Sequence, residues 1–182
     1  MPYDPPDLAA LSLTQIAELV EARKLPPVND WHPPQSGDSG TRIAAAGRWF
    51  HQGGDIVRPA LLRAFSSLLR REDNGSYSLV TPQERLSITV EDSPFIAVEM
   101  QSEGADKARK LAFRLNSDDL VIAGPEHEIE LRPLPYLHVR GGLWAKLARP
   151  VYYEFAELAL QEARQPPGLW SNGQFFAIGA VE

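Results

Sequence analysis

From Tyr77 onward the apolar residues of this chain change their spacing, and that change constrains the fold more than any other feature. Before it, large apolar residues recur every third or fourth position; after Asn74-Gly75 they alternate, as in Leu86, Ile88 and Val90 against Ser87, Thr89 and Glu91. A period of two places successive side chains on opposite faces of a strand, one of them solvated. The pattern predicts strands over 77–80, 86–91, 95–101, 110–115, 120–123, 128–131 and 136–139. Turn residues separate most of them at the roughly 8–12-residue spacing of an antiparallel barrel or sandwich. The 16 prolines and 13 glycines fall between periodic segments and read as turn punctuation. No internal repeat of fixed period is visible.

Helical signals are fewer. Ser12-Leu13-Thr14-Gln15 is a capping box leading into Ile16, Leu19 and Val20, and Pro26-Pro27 ends that helix. Residues 28–40, rich in Pro, Asn, Asp, Ser and Gly, predict a loop pinned at Trp31. Short strands follow at 41–46 and 48–51 about Gly47, then a turn at Gly53-Gly54-Asp55 and an extended pair at Ile56-Val57. An amphipathic helix is predicted over 59–71, with Pro59 at its first position and Leu61, Leu62, Phe65, Leu68 and Leu69 on one face. Glu72-Asp73-Asn74-Gly75 stops it in a tight turn. Thr81-Pro82-Gln83-Glu84 reads as a single helical turn between strands. A second amphipathic helix is predicted over 151–163, with Tyr152, Phe155, Leu158 and Ala159 inward. The tail after Gln165 carries Trp170, Phe175, Phe176 and Ile178, aromatic and apolar surface that needs to pack onto the body or a partner. The expected class is α+β: mostly antiparallel, β-barrel-like sheets in two lobes, with the two amphipathic helices. The lobes are drawn at 1–94, helix plus strands, and 95–182, barrel-like with a closing helix.

Composition narrows the chemistry. A chain of 182 residues admits one or two domains, and 43% hydrophobic content supplies a core without staples. The absence of cysteine excludes disulfides, thiolate catalysis and sulfur-ligated zinc. Residues 1–23 lack a basic start followed by an apolar run, and no apolar segment approaches the ~20 residues of a membrane span, so a cytoplasmic location is expected. Net charge is -6 and the Lys and Arg residues are scattered, against the cationic stripe that nucleic acid requires. There is no G-x-S-x-G elbow, phosphate loop, H-E-x-x-H or G-x-G-x-x-G, so no cofactor is expected. His32, His51, His127 and His138 stand far apart, and no metal site is expected from them. Asn74-Gly75-Ser76 fits the glycosylation pattern but reads as a turn.

The most informative polar residue is Arg58, immediately before Pro59. A helix N-terminus carries partial positive charge and unpaired N–H groups, so an arginine there needs negative charge nearby. Either an internal carboxylate supplies it, or Arg58 and the N–H groups of Leu61 and Leu62 bind an anionic ligand or an acidic protein segment. Glu91-Asp92 is the obvious internal partner. The same pair offers acid–base chemistry or a hard-cation ligand, or Asp92 simply makes an Asx turn before Phe95. Adjacent strand residues face opposite ways, so one of the two enters any given pocket. Trp49 and His51 share a strand face that suits a pocket wall, or Trp49 is core. His138 and Arg140 share another face, cleft lining or the wet side of a sheet, and Gly141-Gly142 after them suggests a bulge or a backbone approached closely by another group.

Several segments together resemble a bacterial family known as domain of unknown function twelve eighty-five. The matching residues are Pro27, Val28, Trp31 and Pro33; Gly47, Trp49, Ile56 and Arg58; Leu62, Phe65 and Leu69; and Gly75, Tyr77, Leu79, Pro82 and Glu84. The most specific run is Ile88-Thr89-Val90-Glu91-Asp92-Ser93-Pro94-Phe95. A weaker one extends from Gly142 and Leu143 through Ala145, Leu147, Arg149, Tyr152 and Tyr153, so that the resemblance spans about 26–160. It implies β-barrel-like architecture in two lobes, the second similar to pleckstrin-homology domains, and a signalling or ligand-binding role. It brings no catalytic residues. Gln52-Gly53-Gly54-Asp55 departs from the family pattern on the approach to Arg58.

The leading expectation is therefore a non-enzymatic, regulatory binding module for a small anionic molecule or a protein partner. Its ligand-binding residues would be Arg58, Asp92, Glu91, Trp49, His51 and Arg140. Two alternatives stand beside it. One is a small enzyme with Asp92 or Glu91 as general base and Arg58 as clamp; the other is an assembly protein docking through its aromatic tail. Self-association through that tail is a further expectation.

Overall fold

A computed structural model describes residues 7–178; the outer limits drawn above at residues 1 and 182 lie outside them. By contact the chain forms two units. One holds 24–94 with 141–143, the other 7–23, 95–140 and 144–178.

The second unit begins with α1 (Leu13–Ala22). Its capping box forms as expected: Ser12 Oγ accepts the Gln15 N–H at 3.2 Å and Gln15 Oε1 accepts the Ser12 N–H at 2.9 Å. Ile16 is fully buried with Leu8 and Ala112, so this first helix packs into the second unit.

The first unit is a six-stranded sheet with one helix. Its elements are β1 (Gln35–Ile43), β2 (Trp49–His51), β3 (Gly54–Asp55), α2 (Pro59–Ser67), β4 (Leu69–Arg71), β5 (Tyr77–Val80) and β6 (Glu84–Val90). The strand order is β3-β2-β1-β6-β5-β4, antiparallel except for the central β1–β6 pair, which is parallel. Ile43, Trp49, Leu69, Leu79, Val80 and Ile88 are buried in this unit.

Three expectations are corrected here. Residues 35–40, predicted as loop, are the first half of β1. They are polar and mostly exposed, and what makes them a strand is main-chain pairing with β6 from Gln35↔Glu84 to Asp38↔Ser87. The 59–71 helix stops at Ser67, and Leu69–Arg71 pairs with β5, so that Leu69 enters the core from a strand. Its heptad-like spacing from Leu62 imitated one more helical turn. Thr81–Glu84 is not helical. Thr81 Oγ1 accepts from the Glu84 N–H at 3.2 Å while the Thr81 N–H donates to Glu84 O, closing a turn straight into β6.

The second unit's sheet contains β7 (Phe95–Glu103), β8 (Lys110–Leu115), β9 (Leu120–Ile122), β10 (Ile129–Leu131), β11 (Pro135–Arg140) and β12 (Leu143–Leu147). Its order is β10-β11-β12-β7-β8-β9, with β12 and β7 parallel at the centre. The two sheets thus share one topology: two three-stranded meanders set side by side, the first and last strands meeting in parallel. Nothing in residue spacing announced this repeat. Gly141-Gly142, expected as a bulge or a closely approached backbone, is the two-residue turn of the β11–β12 hairpin; both have positive φ (53° and 79°), as a type I′ turn demands, and a Cβ on them would lie 3.2 Å from Asn29 Nδ2 and 3.2 Å from Arg71 Cδ respectively. Strand β12 itself was missed.

After β12 come α3 (Arg149–Gln161) and the tail hairpin of β13 (Gly168–Ser171) and β14 (Gln174–Ala177). The tail packs back onto its own unit. Leu169 and Phe176 are buried, and the Trp170 and Phe175 rings meet at a 58° tilt with centroids 5.5 Å apart. Ser171 locks the hairpin down, its buried hydroxyl accepting the Leu111 N–H at 2.9 Å and donating to Ala123 O at 2.7 Å. The α+β class and the two lobes are as predicted, with three α-helices. No helix among the described residues is long and apolar enough to cross a membrane.

Candidate functional site

Arg58 is the N-cap residue of α2, exposed, with no side-chain hydrogen bond to the helix and no acidic residue in the first turn. Among the described residues its guanidinium has no ion-pair partner. Glu91, the expected counter-charge, answers another arginine: Arg42 Nη1 donates to Glu91 Oε1 at 2.6 Å, and the Ala45 N–H donates to Oε2 at 2.9 Å. Both Glu91 and Asp92 are exposed in the bend after β6.

Arg42 sits across the β1–β2 pair from Phe50, and its guanidinium lies 4.6 Å from that ring's centroid. Arg48 covers the same ring at 5.7 Å and pairs with Asp55. The row Thr89, Arg42, Phe50, Asp55 therefore runs in register across four strands of one sheet face.

The Ala45 amide, and then Arg42, hold the Glu91 carboxyl below the usual glutamate range. In a pH titration followed by carbon NMR, Glu91 is expected to titrate below the ordinary midpoint of about 4.3. Arg42→Gln should raise its midpoint only part of the way, because the Ala45 amide remains. A midpoint at the ordinary value in wild type would show that neither contact forms in solution.

Trp49 is 4% exposed and lies in the core of the first unit. His51 is exposed, with Nδ1 3.2 Å from Thr41 Oγ1. Arg140 belongs to the other unit, half-buried, its guanidinium 5.4 Å from the Phe95 ring centroid. Burial pulls its pKa below the usual arginine range, the Asp119 carboxylate opposes that, and nearby Arg23 adds to it. Asp119, 6% exposed, accepts from Arg23 Nε at 2.7 Å and from Ser117 Oγ at 2.8 Å. Of the six expected residues, then, Trp49, His51 and Glu91 lie on the β1–β2–β6 side of the first unit, and Arg140 takes part in a separate charged cluster in the second.

The second unit also holds a cleft of about 620 Å³ that the sequence did not signal. One wall is α1, presenting Leu13, Thr14 and Ala17 from adjacent turns; Ile122 of β9, Lys110 of β8 and Asn172 of the tail turn also line it. Glu103, at the end of β7, lines it too, and its Oε2 accepts the Leu13 N–H at 3.1 Å. A carboxylate at the first turn of a helix is held there by the unpaired N–H groups and the helix dipole. Thr14, Lys110 and Asn172 have no side-chain hydrogen bond or ion pair among the described residues. They come from positions 14, 110 and 172, and nothing in the sequence joined them.

Two sheets of one topology, a helix-lined cleft in the second unit and no metal-holding cluster of His or acidic residues among the described residues define a two-lobed α+β protein with a small-molecule-sized cavity. Residues 26–93 match the model described as "Domain of unknown function (DUF1285), N-terminal domain", and 94–178 match "Protein of unknown function (DUF1285), C-terminal domain". The chain belongs to the DUF1285 family, the one its sequence resembles. It is similar to the crystal structure of a DUF1285 family protein from Silicibacter pomeroyi DSS-3, at 38% identity over 94% of this chain and 97% of that one, with a TM-score of 0.79. A DUF1285 family protein from Shewanella baltica OS155 is 26% identical over 65% of this chain and 91% of that one, with a TM-score of 0.52. None of the curated proteins matches the chain.

Proposed function

We propose that the chain is a binding module, non-enzymatic and of regulatory use, that holds a small ligand in the cleft beside α1. One observation carries the reading: three polar side chains without hydrogen-bond or ion-pair partners among the described residues line a concave, partly apolar cavity of about 620 Å³. Ligand clefts fall within roughly 300–1,000 Å³ and pair apolar walls with a few convergent polar groups. Binding is favoured over acid–base catalysis because Glu103, the one acid lining the cleft among the described residues, is already engaged by the α1 N–H. Glu91, one of the two candidate general bases of the enzyme alternative beside Asp92, is exposed and its pKa is lowered, the reverse of what proton abstraction near neutrality needs. The aromatic tail, on which the assembly alternative rests, is packed within its own unit, which favours neither docking nor self-association through Trp170 and Phe175.

The test is a fragment screen read by amide chemical shifts on wild type and on Ala17→Trp, which fills the cleft. Hits should shift the amides of Thr14, Lys110 and Asn172 and should be lost in the variant. Hits that survive it, or a screen without cleft hits, would remove this reading.

A second reading keeps the anion site at Arg58, supported by an exposed guanidinium without a partner among the described residues, at a helix start lacking acids. Inorganic phosphate should then raise the melting temperature of wild type and not of Arg58→Ala. Stabilisation that persists in Arg58→Ala excludes Arg58 from any such site.

A further inference from the structure

Resting on the reading of the cleft beside α1, we propose that its ligand is an amphiphile with a single anionic head and an aliphatic body, the head held at Lys110 and Asn172. Lys110 opens β8 opposite Glu103 of β7. That cross-strand acid is the natural partner for the ammonium, yet no ion pair joins them, because the Glu103 carboxylate accepts the Leu13 N–H instead. The ammonium is thereby left lining the cavity without an ion pair among the described residues, while the carboxylate that lines the same cavity is turned to the α1 N-terminus.

The apolar part of the site lies along the same sheet face. Ile122 pairs in register with Ala112, and Lys110 stands two residues before Ala112, on the same side of β8 and roughly 7 Å along it. Leu13 and Ala17, one turn apart on α1, line the cleft above this surface. The arrangement is a cation at one end of an aliphatic trough.

Asn172 supplies two donors beside the cation, and its position depends on a neighbour. The Asn172 N–H donates to Arg109 O at 3.1 Å, fixing the tail turn. A Cβ on Gly124 would lie 3.0 Å from Asn172 Cβ and 3.1 Å from Nδ2, so glycine at 124 makes room for this amide. Carboxylate and phosphate heads present the same acceptor oxygens to a lysine and an amide. The chemistry shared by both is what the site selects.

Four eight-carbon probes below their micellar concentrations separate the outcomes: octanoate, octyl phosphate, octanol and octylammonium, each titrated against the labelled full chain. Octanoate or octyl phosphate should shift the cleft amides and bind at least about tenfold more tightly than octanol, with octylammonium weakest. Whichever of the two anions binds more tightly identifies the head group. Lys110→Gln should bring the anions down to the level of octanol while leaving octanol unchanged, and Gly124→Ala should weaken the anions by displacing Asn172. Lys110 is exposed, so its variant should keep the wild-type spectrum elsewhere. Equal binding of octanol and octanoate, or octanoate binding unaffected by Lys110→Gln, overturns the anionic class while the cleft remains a binding site. If no probe and no fragment shifts the cleft amides, the cleft reading fails with it.

Discussion

Replacing Glu162 with glutamine is expected to lower the unfolding free energy by about 3–5 kcal/mol, the usual cost of removing one partner from a buried ion pair. Glu162 follows α3, and its Oε1 accepts from Arg109 Nη2 and, at 3.2 Å, from Nε. The two side chains are 11% and 10% exposed. Arg109 Nη1 also donates to Ser102 Oγ, so the pair ties the end of α3 to β7. Arg164 adds contacts to Glu162 Oε2 at 3.5 Å and to Asp106 Oδ1 at 2.5 Å. Glutamine keeps the shape but leaves two guanidiniums facing the single charge of Asp106, itself largely exposed. For a chain of this length the loss corresponds to roughly 10 °C in melting temperature.

The same residue gives a pH dependence with a definite sign. Burial pushes the Glu162 carboxyl up, but the Arg109 hydrogen bond, the Asp106 N–H and the arginine charges outweigh it and hold its pKa below the usual range. A carboxylate depressed in the folded state stabilises above its unfolded pKa, about 4.3, and loses that contribution as pH falls through the folded value. The gap between wild type and Glu162→Gln should therefore be full at pH 7 and close in acid. Urea denaturation at pH 7 and near pH 3 measures both; a gap below about 1 kcal/mol at pH 7, or one indifferent to pH, would show that the pair does not hold the fold.

Phe155→Ala should cost about as much, 3–5 kcal/mol, for a different reason. Phe155 is fully buried on the inner face of α3, which packs against β7 and β13. Truncation leaves a cavity that rigid sheet neighbours cannot collapse into, so the lost transfer free energy and the cavity cost add. Leu160, on the same helix but 65% exposed, is the control: Leu160→Ala should stay within about 0.5 kcal/mol. Hydrogen exchange should show the β13–β14 amides losing protection in Phe155→Ala and not in Leu160→Ala. Equal effects of the two substitutions would mean that α3 does not seat as described.

Much of this architecture was legible because side chains carried it. The Ser12 box, the Pro59 helix start and the alternation of Leu86, Ile88 and Val90 are local patterns, and each formed where it was expected. What escaped is held by the main chain or by distance. Residues 35–40 belong to a strand chiefly through the backbone pairing of 35–38 with β6, and the polar character of their side chains gives no sign of it. Leu68-Leu69 fits a helical stripe and a strand equally until the partner strand is known. The matched order of the two sheets is a property of pairing, to which spacing along the chain is blind. The candidate site follows the same division. Arg58 at a helix start was readable, as was Glu91-Asp92; that Glu91 turns to Arg42 depends on β1 lying beside β6. The cleft joins residues up to 159 positions apart, 13 to 172, and no local motif reports such a meeting.

The assignment of α1 to the second unit has a consequence for how the molecule is made. This helix leaves the ribosome well before β8 and β9, against which it rests and which begin at Lys110 and Leu120. Some ninety residues of synthesis, at about 5–20 residues per second, separate the helix from its seat. During those seconds only its capping box and its own short-range hydrogen bonds sustain it, which for a ten-residue helix in water is marginal. The first sheet has all its strands once β6 emerges, so the nascent chain carries a paired sheet while α1 still waits for its seat.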